Sequence, residues 1–223
     1  IKSFEFYFDF GSPYSFLAHK EIRKKEKKYF IKIKYMPILL GGILKMAGTK
    51  ANVDVPVKAK YMIKDCKLWA EKNNTLFKFN SYFPIITLNL MRCVLVAEKK
   101  DFSNNFINHV FDSIWEDGLN MNDNTIVEKL LKNLDINPKT FLTDAASPKI
   151  KDDLKNRTSK AFTKGVFGTP TFIVNNKTFW GQDRLEFALN EAKKNIFWWF
   201  CCYYKLILIK FIILEFIWKN RKT

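Results

Sequence analysis

The sequence predicts an α/β domain split by an all-helical insertion, and three observations carry that reading. An aromatic run from Phe4 to Asp9 passes through Gly11 and Ser12 into Pro13, then gives way to a helical pattern and a second alternating run from Tyr29 to Met36. From Ile38 to about Lys164 almost every apolar pattern has helical spacing. After Gly168 the pattern returns to short strands. Residues 1–37 and 165–194 therefore form the α/β part, 38–164 the helical insertion, and 195–223 an anomalous apolar C-terminal tail.

Each element has a local reason. Phe4, Phe6, Tyr7 and Phe8 favour a strand, Gly11 suits a turn, Ser12 is a good N-cap and Pro13 fits the first helical position. Tyr14, Leu17, Ala18 and Ile22 predict a first helix from Pro13 to about Lys27. The next strand ends at Pro37, and two strands joined through a helix are expected to run parallel. Within the insertion, Met62, Cys66 and Trp69 mark one helix, and Leu88, Met91 and Leu95 the next. Phe106, Val110, Phe111 and Ile114 mark a third, and Ile126, Val127, Leu130 and Leu131 a fourth. Asn137-Pro138 and Ser147-Pro148 each join a cap residue to a proline at the first helical position. Thr171 to Val174 and Lys177 to Trp180, linked by Asn175-Asn176, predict a β-hairpin. The last helix is expected to open with Asp183 as cap and Glu186 as its capping-box partner.

The 223 residues carry 38 Lys and Arg against 22 Asp and Glu, a formal charge of +16, and 48% of them are apolar. That apolar share is ordinary for a globular chain and excludes a disordered one. The charge is scattered, with one dense run at Lys24, Lys25, Lys27 and Lys28, where cations suit a helix C-terminus. No zinc-finger, RNA-binding or helix-turn-helix pattern accompanies it, so nucleic acid is not an expected partner. Cys66, Cys93, Cys201 and Cys202 form no C-x-x-C pair and no zinc spacing, and no metal is expected. With no signal-peptide pattern at the start, a reducing, cytoplasmic setting is the expectation. His19 and His109 are expected to be surface or satisfied core residues.

Residues 196–218 are apolar but interrupted by Lys205, Lys210 and Glu215. The Ile, Leu and Phe side chains favour membrane insertion by roughly 6 to 7 kcal/mol, and each charge opposes it by about 3 kcal/mol if placed centrally. With snorkelling of Lys205 the balance lies near zero. The stretch fits a tail anchor, an amphipathic helix on the domain or a membrane surface, or a non-native readthrough. Collapse of the composition to Ile, Phe, Lys, Trp, Tyr and Cys without a helical face favours readthrough, so a membrane partner is expected only if the tail is genuine.

In a split α/β fold the turn at Ser12 and the segment Gly168-Thr169-Pro170-Thr171 must meet. A helix N-terminus offers unpaired N–H groups and partial positive charge, so a thiolate or other anion at Ser12 would be stabilised; the residue also reads simply as a helix cap. Proline is tolerated where Pro170 starts a strand. A cis Thr169-Pro170 bond would leave the Thr169 N–H and C=O free for an extended peptide-like ligand, whereas a trans bond would only begin an edge strand.

The stretches Asp9 to Ser15, Gly165 to Phe172 and Phe179 to Arg184, with Pro56 to Met62 and Tyr82 to Arg92, resemble five ordered motifs of the 2-hydroxychromene-2-carboxylate isomerases. That family is related to kappa-class glutathione transferases and to the disulfide oxidoreductase DsbA. The resemblance covers about residues 3–193 and implies a thioredoxin-like fold with a DsbA-like helical insertion, usually a homodimer, with glutathione as cofactor. The redox relatives have Cys where this chain has Ser12, and Ser15 takes the place of their second Cys. A hydroxyl at pH 7 cannot replace a thiolate, so disulfide exchange is excluded at this site.

The resemblance implies that Ser12 donates a hydrogen bond to the glutathione sulfur and that Thr169, before Pro170, pairs through its backbone with the cysteinyl part. Gln182 and Asp183 would receive the γ-glutamyl group and Lys58 a carboxylate. Asp183 also reads as a cap alone and Lys58 as a solvated charge. The implied activity is glutathione-dependent cis/trans isomerisation of 2-hydroxychromene-2-carboxylate or a similar conjugated aromatic acid, in aromatic-compound degradation. It would run by reversible thiolate addition to an unsaturated ketone, with Tyr82 and Asn80 as candidates for the oxyanion contact. A kappa-like glutathione transferase and a non-catalytic thioredoxin-fold binding module are the alternatives. Departures from the family pattern are Ile86, where relatives commonly have Asn, Gln182, where they often have Ser, and Thr49 or Asn52, near a cofactor-contacting Asn.

Overall fold

β1 (Phe4–Phe8) runs through the interior with all five residues buried, because both of its faces are covered. Phe4, Phe6 and Phe8 join a large apolar cluster with Phe16, Phe106, Phe111 and Trp115, while Tyr7 on the opposite face packs with Ile38, Ile43, Ala161 and Val166. Alternate side chains of a strand point to opposite faces, so a strand covered on both is apolar on both; the one acid in β1, Glu5, is paired with Lys164 (3.1 Å) and accepts the Tyr7 hydroxyl (2.7 Å). The computed structural model describes residues 4–29 and 31–194; the tail at 195–223, with each role considered for it, lies outside the described residues.

α1 (Pro13–Tyr29) leads to β2 (Lys34–Pro37), which pairs in parallel with β1, Glu5 opposite Lys34 and Phe8 opposite Pro37. The helix runs two residues past Lys27, with Lys27 and Lys28 in its last turn where they suit the helix dipole. β2 starts later than the alternation indicates, because the Ile33 N–H is taken by the Glu26 carboxylate of α1 (3.0 Å) and not by a neighbouring strand. β3 (Thr171–Val174) pairs antiparallel with the other edge of β1, and β4 (Lys177–Trp180) with β3, giving the order β2-β1-β3-β4. The hairpin turns at Asn175 and Asn176, whose φ values of 52° and 63° lie in the left-handed region that asparagine enters more readily than most residues.

Between β2 and β3 come α2 (Leu40–Met46), a 3₁₀ turn (Asn52–Asp54), α3 (Pro56–Lys72), α4 (Leu88–Lys99), α5 (Ser103–Trp115), α6 (Asn124–Asn133), α7 (Pro138–Ala145) and α8 (Pro148–Thr163). Asn137 caps α7 by accepting the Thr140 N–H (3.2 Å). Ser147 does not cap α8 through its side chain, since its hydroxyl turns back to the Asp144 carbonyl (2.7 Å). α4 packs on α5, α7 and α8 at the centre of the helical segment. Helices and sheet share one core: Phe106, Phe141 and Trp115 belong to the same cluster as Phe6 and Phe172, and the Trp115 indole N–H donates to the Phe10 carbonyl (2.9 Å).

After β4 a 3₁₀ turn (Gln182–Arg184) precedes α9, residues 185–194. The capping box expected of Asp183 and Glu186 does not form. Gly181, with a φ of 108° that favours glycine, precedes the turn; Asp183 meets Arg184 at 3.6 Å and Glu186 reaches Lys25 at 3.8 Å. Among the described residues no helix is long and apolar enough to cross a membrane.

Candidate active site

Asp9 fixes the turn from β1 into α1. Its carboxylate is buried and accepts three hydrogen bonds, from the Gly11 N–H (2.9 Å) and the Thr87 hydroxyl (2.6 Å) at Oδ1 and from the Leu40 N–H (2.8 Å) at Oδ2. Its carbonyl accepts the Ser12 N–H (3.1 Å). One residue thus ties the β1–α1 turn to the starts of α2 and α4. Burial pushes the carboxyl pKa above its ordinary value, although each of the three donors favours the charged form. Sequence reasoning gave Asp9 no role; the available signal was an acid closing an aromatic run.

Ser12 is buried at the N-terminus of α1. Its Oγ accepts the Ser15 N–H (3.1 Å), which makes it a cap, and donates to the Thr169 carbonyl (3.2 Å), across 157 residues of sequence. The Thr169-Pro170 bond is cis, as is Phe83-Pro84. The Thr169 carbonyl is therefore taken by Ser12 and not free as expected, while the Thr169 N–H has no hydrogen-bond partner among the described residues. Thr169 Oγ1 and Ser15 Oγ are also buried without a partner there. Gly168 lets the exposed Trp180 ring pack close to the loop, since a Cβ at that position would lie 2.7 Å from the indole nitrogen and displace the ring.

The Gly181 N–H donates to the Pro170 carbonyl (2.9 Å), which seats half-buried Gln182 and exposed Asp183 beside the cis-proline. Ser12, Thr169 and Pro170 are thereby brought together, with Gln182 and Asp183 attached through Gly181. Lys58 is joined less directly. It is exposed in the first turn of α3, without an ion pair among the described residues, on the same helix as Asp65, whose Oδ2 accepts the Tyr14 hydroxyl (2.9 Å). The seven-residue spacing puts Lys58 and Asp65 on one side of α3, about 10 Å apart along its axis.

Asn80 is not available for an oxyanion. It is buried, its amide donates to the Ile114 and Leu119 carbonyls (both 2.9 Å), and its oxygen accepts the Tyr82 N–H (2.8 Å). Tyr82 is exposed. Ile86 is exposed and lines a cavity of about 430 Å³ with Asn89, Asn122 and Asn124, so amide groups flank the position where the family commonly has Asn. His19 is a satisfied core residue and His109 a surface one bonded to the Asn105 carbonyl (2.8 Å). Cys66 and Cys93 are buried free thiols, and burial pushes the Cys93 pKa up to about 12, so both are protonated at neutral pH.

A helix N-terminus facing a cis-proline loop, in a sheet closed by an antiparallel hairpin and a final helix, defines a thioredoxin-fold protein, here with serines at the two positions noted above. The chain belongs to the DSBA-like thioredoxin domain family, which it matches over residues 4–193. It is 28% identical over 188 residues to a 2-hydroxychromene-2-carboxylate isomerase of Sphingobium xenophagum, covering 83% of this chain and 95% of that one. It is 24% identical over 196 residues to glutathione S-transferase kappa 1 of Rattus norvegicus, covering 82% and 87%. A solved structure of 2-hydroxychromene-2-carboxylate isomerase is similar with a TM-score of 0.78 at 25% identity, over 86% of this chain and 95% of that one.

Proposed function

We propose that the protein is a glutathione-dependent isomerase acting on 2-hydroxychromene-2-carboxylate or a similar conjugated aromatic acid. The observation that carries this reading is the Ser12–Thr169 pair: a hydroxyl at a helix N-terminus, bonded to the residue before a cis-proline whose own N–H lacks a partner among the described residues. The similarity to named isomerases over most of both chains supports it.

The polar groups fit a tripeptide thiol. The N–H and hydroxyl of Thr169, without partners among the described residues, suit a backbone-like ligand, the exposed Asp183 carboxylate suits an ammonium, and Lys58 suits a carboxylate. When bound, glutathione supplies a thiolate able to add reversibly to an unsaturated ketone, which turns a double bond into a rotatable single bond.

Ser12 and the N-terminus of α1 hold negative charge at the sulfur position and lower the thiol pKa there. A hydroxyl has one proton, so donation to sulfur means turning it away from the Thr169 carbonyl, by rotation about Cβ–Oγ alone; Oγ keeps the Ser15 N–H throughout. That rotation frees the Thr169 carbonyl for the ligand, beside its N–H. Gln182 and Asp183 hold the γ-glutamyl end, and exposed Tyr82 is the remaining candidate donor to a developing oxyanion.

Titration calorimetry should show saturable glutathione binding, and turnover of hydroxychromene carboxylate should need glutathione without consuming it. No binding at millimolar glutathione would sink the proposal. The similarity to the kappa transferase favours a second reading, conjugation of electrophiles, in which glutathione is consumed stoichiometrically. Binding without either reaction would mark a non-catalytic module. The proposal includes a cytoplasmic homodimer, checked by light scattering and fractionation.

A further inference from the structure

We propose that the outward face of α3 is a docking surface for an anionic lipid bilayer. The helix has two opposed faces. Met62, Cys66 and Ala70 are buried toward the core, and Val57, Tyr61 and Leu68 stand on the far side at i, i+4 and i+11, exposed by 76%, 65% and 53%. A residue nine positions along an α-helix points the opposite way, which places Val57 against Cys66 across the axis and makes the three exposed side chains one ridge.

The ridge is flanked by cations. By helical position Lys60, Lys64 and Lys67 lie on one side of it and Lys58 and Lys72 on the other, all exposed. Lys58, Lys60, Lys64 and Lys67 have no ion pair or hydrogen bond among the described residues; Lys72 lies over the Trp69 ring at 4.4 Å. Each flank holds one acid: Glu71 by helical position lies on the Lys60, Lys64 and Lys67 side near the C-terminal end, and Asp65, which accepts the Tyr14 hydroxyl, lies between Lys58 and Lys72, so five lysines face two carboxylates.

Charge complementarity chooses the occupant. An apolar ridge between two rows of lysines is the pattern of a helix lying in a membrane interface, apolar side chains among the acyl chains and lysine stems reaching up to the headgroups. A two-fold contact with a second copy would set Lys60, Lys64 and Lys67 against their own equivalents, a like-charge arrangement that opposes association. Single-stranded nucleic acid would call for several aromatic stacking platforms, and the ridge holds one, Tyr61. A small anion would need converging donors, yet Lys60 and Lys67 are about 10 Å apart along the axis.

The test is co-sedimentation of the full chain with phosphatidylcholine vesicles, with and without phosphatidylserine. Two exposed triple variants accompany it, Lys60→Gln/Lys64→Gln/Lys67→Gln and Val57→Ser/Tyr61→Ser/Leu68→Ser. Lys58, given to the cofactor above, stays in place, and residues 195–223 are common to all chains, so differences report α3. Binding is expected on phosphatidylserine vesicles, weakening with salt. The glutamine triple should lower partitioning by about 100-fold, at about fivefold per lysine, and the serine triple should also lower it. Equal binding to pure phosphatidylcholine, no vesicle binding by the parent, or a glutamine triple that sediments like the parent would overturn the proposal. So would conversion of a dimer to a monomer by the serine triple, or lysine-dependent binding of DNA with unchanged vesicle binding.

Discussion

Ser12 uses one oxygen for two purposes, and its replacement separates them. Ser12→Ala loses the cap on Ser15, at a cost of about 1 kcal/mol, and leaves the Thr169 carbonyl without its donor. If the proposed function holds, it also removes a hydrogen bond to an anion worth about 1.5–3 kcal/mol, so kcat/KM should fall about 10- to 100-fold while glutathione still binds. Steady-state kinetics and a spectroscopic titration of the bound thiol check this; unchanged turnover would remove the role assigned to the hydroxyl. His19 makes a separate statement, about pH. Its Nδ1 lies 2.8 Å from the Tyr35 hydroxyl and its ring stacks on Phe111 at 4.9 Å, and burial, aided by Arg23 and Lys20, lowers its pKa from 6.5 to about 3. Between those pH values the unfolded chain binds a proton that the folded chain refuses, so the contribution is complete above pH 6.5 and is lost as pH falls toward 3. From pH 7 to pH 5 the loss should be about 2 kcal/mol. His19→Gln keeps a hydrogen-bonding group but does not titrate, so the difference between the two proteins in urea unfolding should shrink as pH falls; parallel curves would contradict it.

At the scale of elements, Asp9 joins the β1–α1 turn, α2 and α4 through one carboxyl group. In Asp9→Asn an amide NH₂ must face at least one of the Gly11, Leu40 and Thr87 donors, which should cost about 1–3 kcal/mol. Thr87→Val removes a single donor at nearly equal volume and should cost about 1 kcal/mol, with Gly11 and Leu40 still bonded. Denaturant midpoints showing Thr87→Val as the worse of the two would refute the hub. This connection was not legible in the sequence, because Leu40 and Thr87 lie 31 and 78 residues from Asp9 and nothing local marks them. What was legible had local causes: the Ser12 cap, the hairpin at Asn175-Asn176, and helices that each carry a buried stripe. Element ends differ from the sequence reading where a side chain competes for a backbone group or a glycine sets the geometry: Glu26 claims the Ile33 N–H, and Gly181 starts a 3₁₀ turn in place of an Asp183 cap. α8 does start at Pro148 after Ser147, although the Ser147 hydroxyl turns to the Asp144 carbonyl.

For the whole molecule, sequence periodicity separates a helical segment from a sheet, but packing joins them. Periodicity reports which face of an element is apolar and says nothing of which partner covers it. Phe111 of α5 shows the partner: its ring meets Phe8 at 5.7 Å, Phe10 at 4.8 Å, Phe16 at 6.1 Å and His19 at 4.9 Å, all in β1, the turn or α1. A helical segment folding alone would expose this face, and a sheet alone would expose Phe6, Phe8 and Phe172. Helices and sheet should therefore unfold together, with far-UV and near-UV dichroism giving one midpoint in urea. Phe111→Ala should lower stability by about 3–5 kcal/mol and move both signals by the same amount at an unchanged denaturant slope, because the cavity lies in the core they share. Two separate midpoints, or a Phe111→Ala effect confined to the helical signal, would show that the helices form an independent unit despite their shared core.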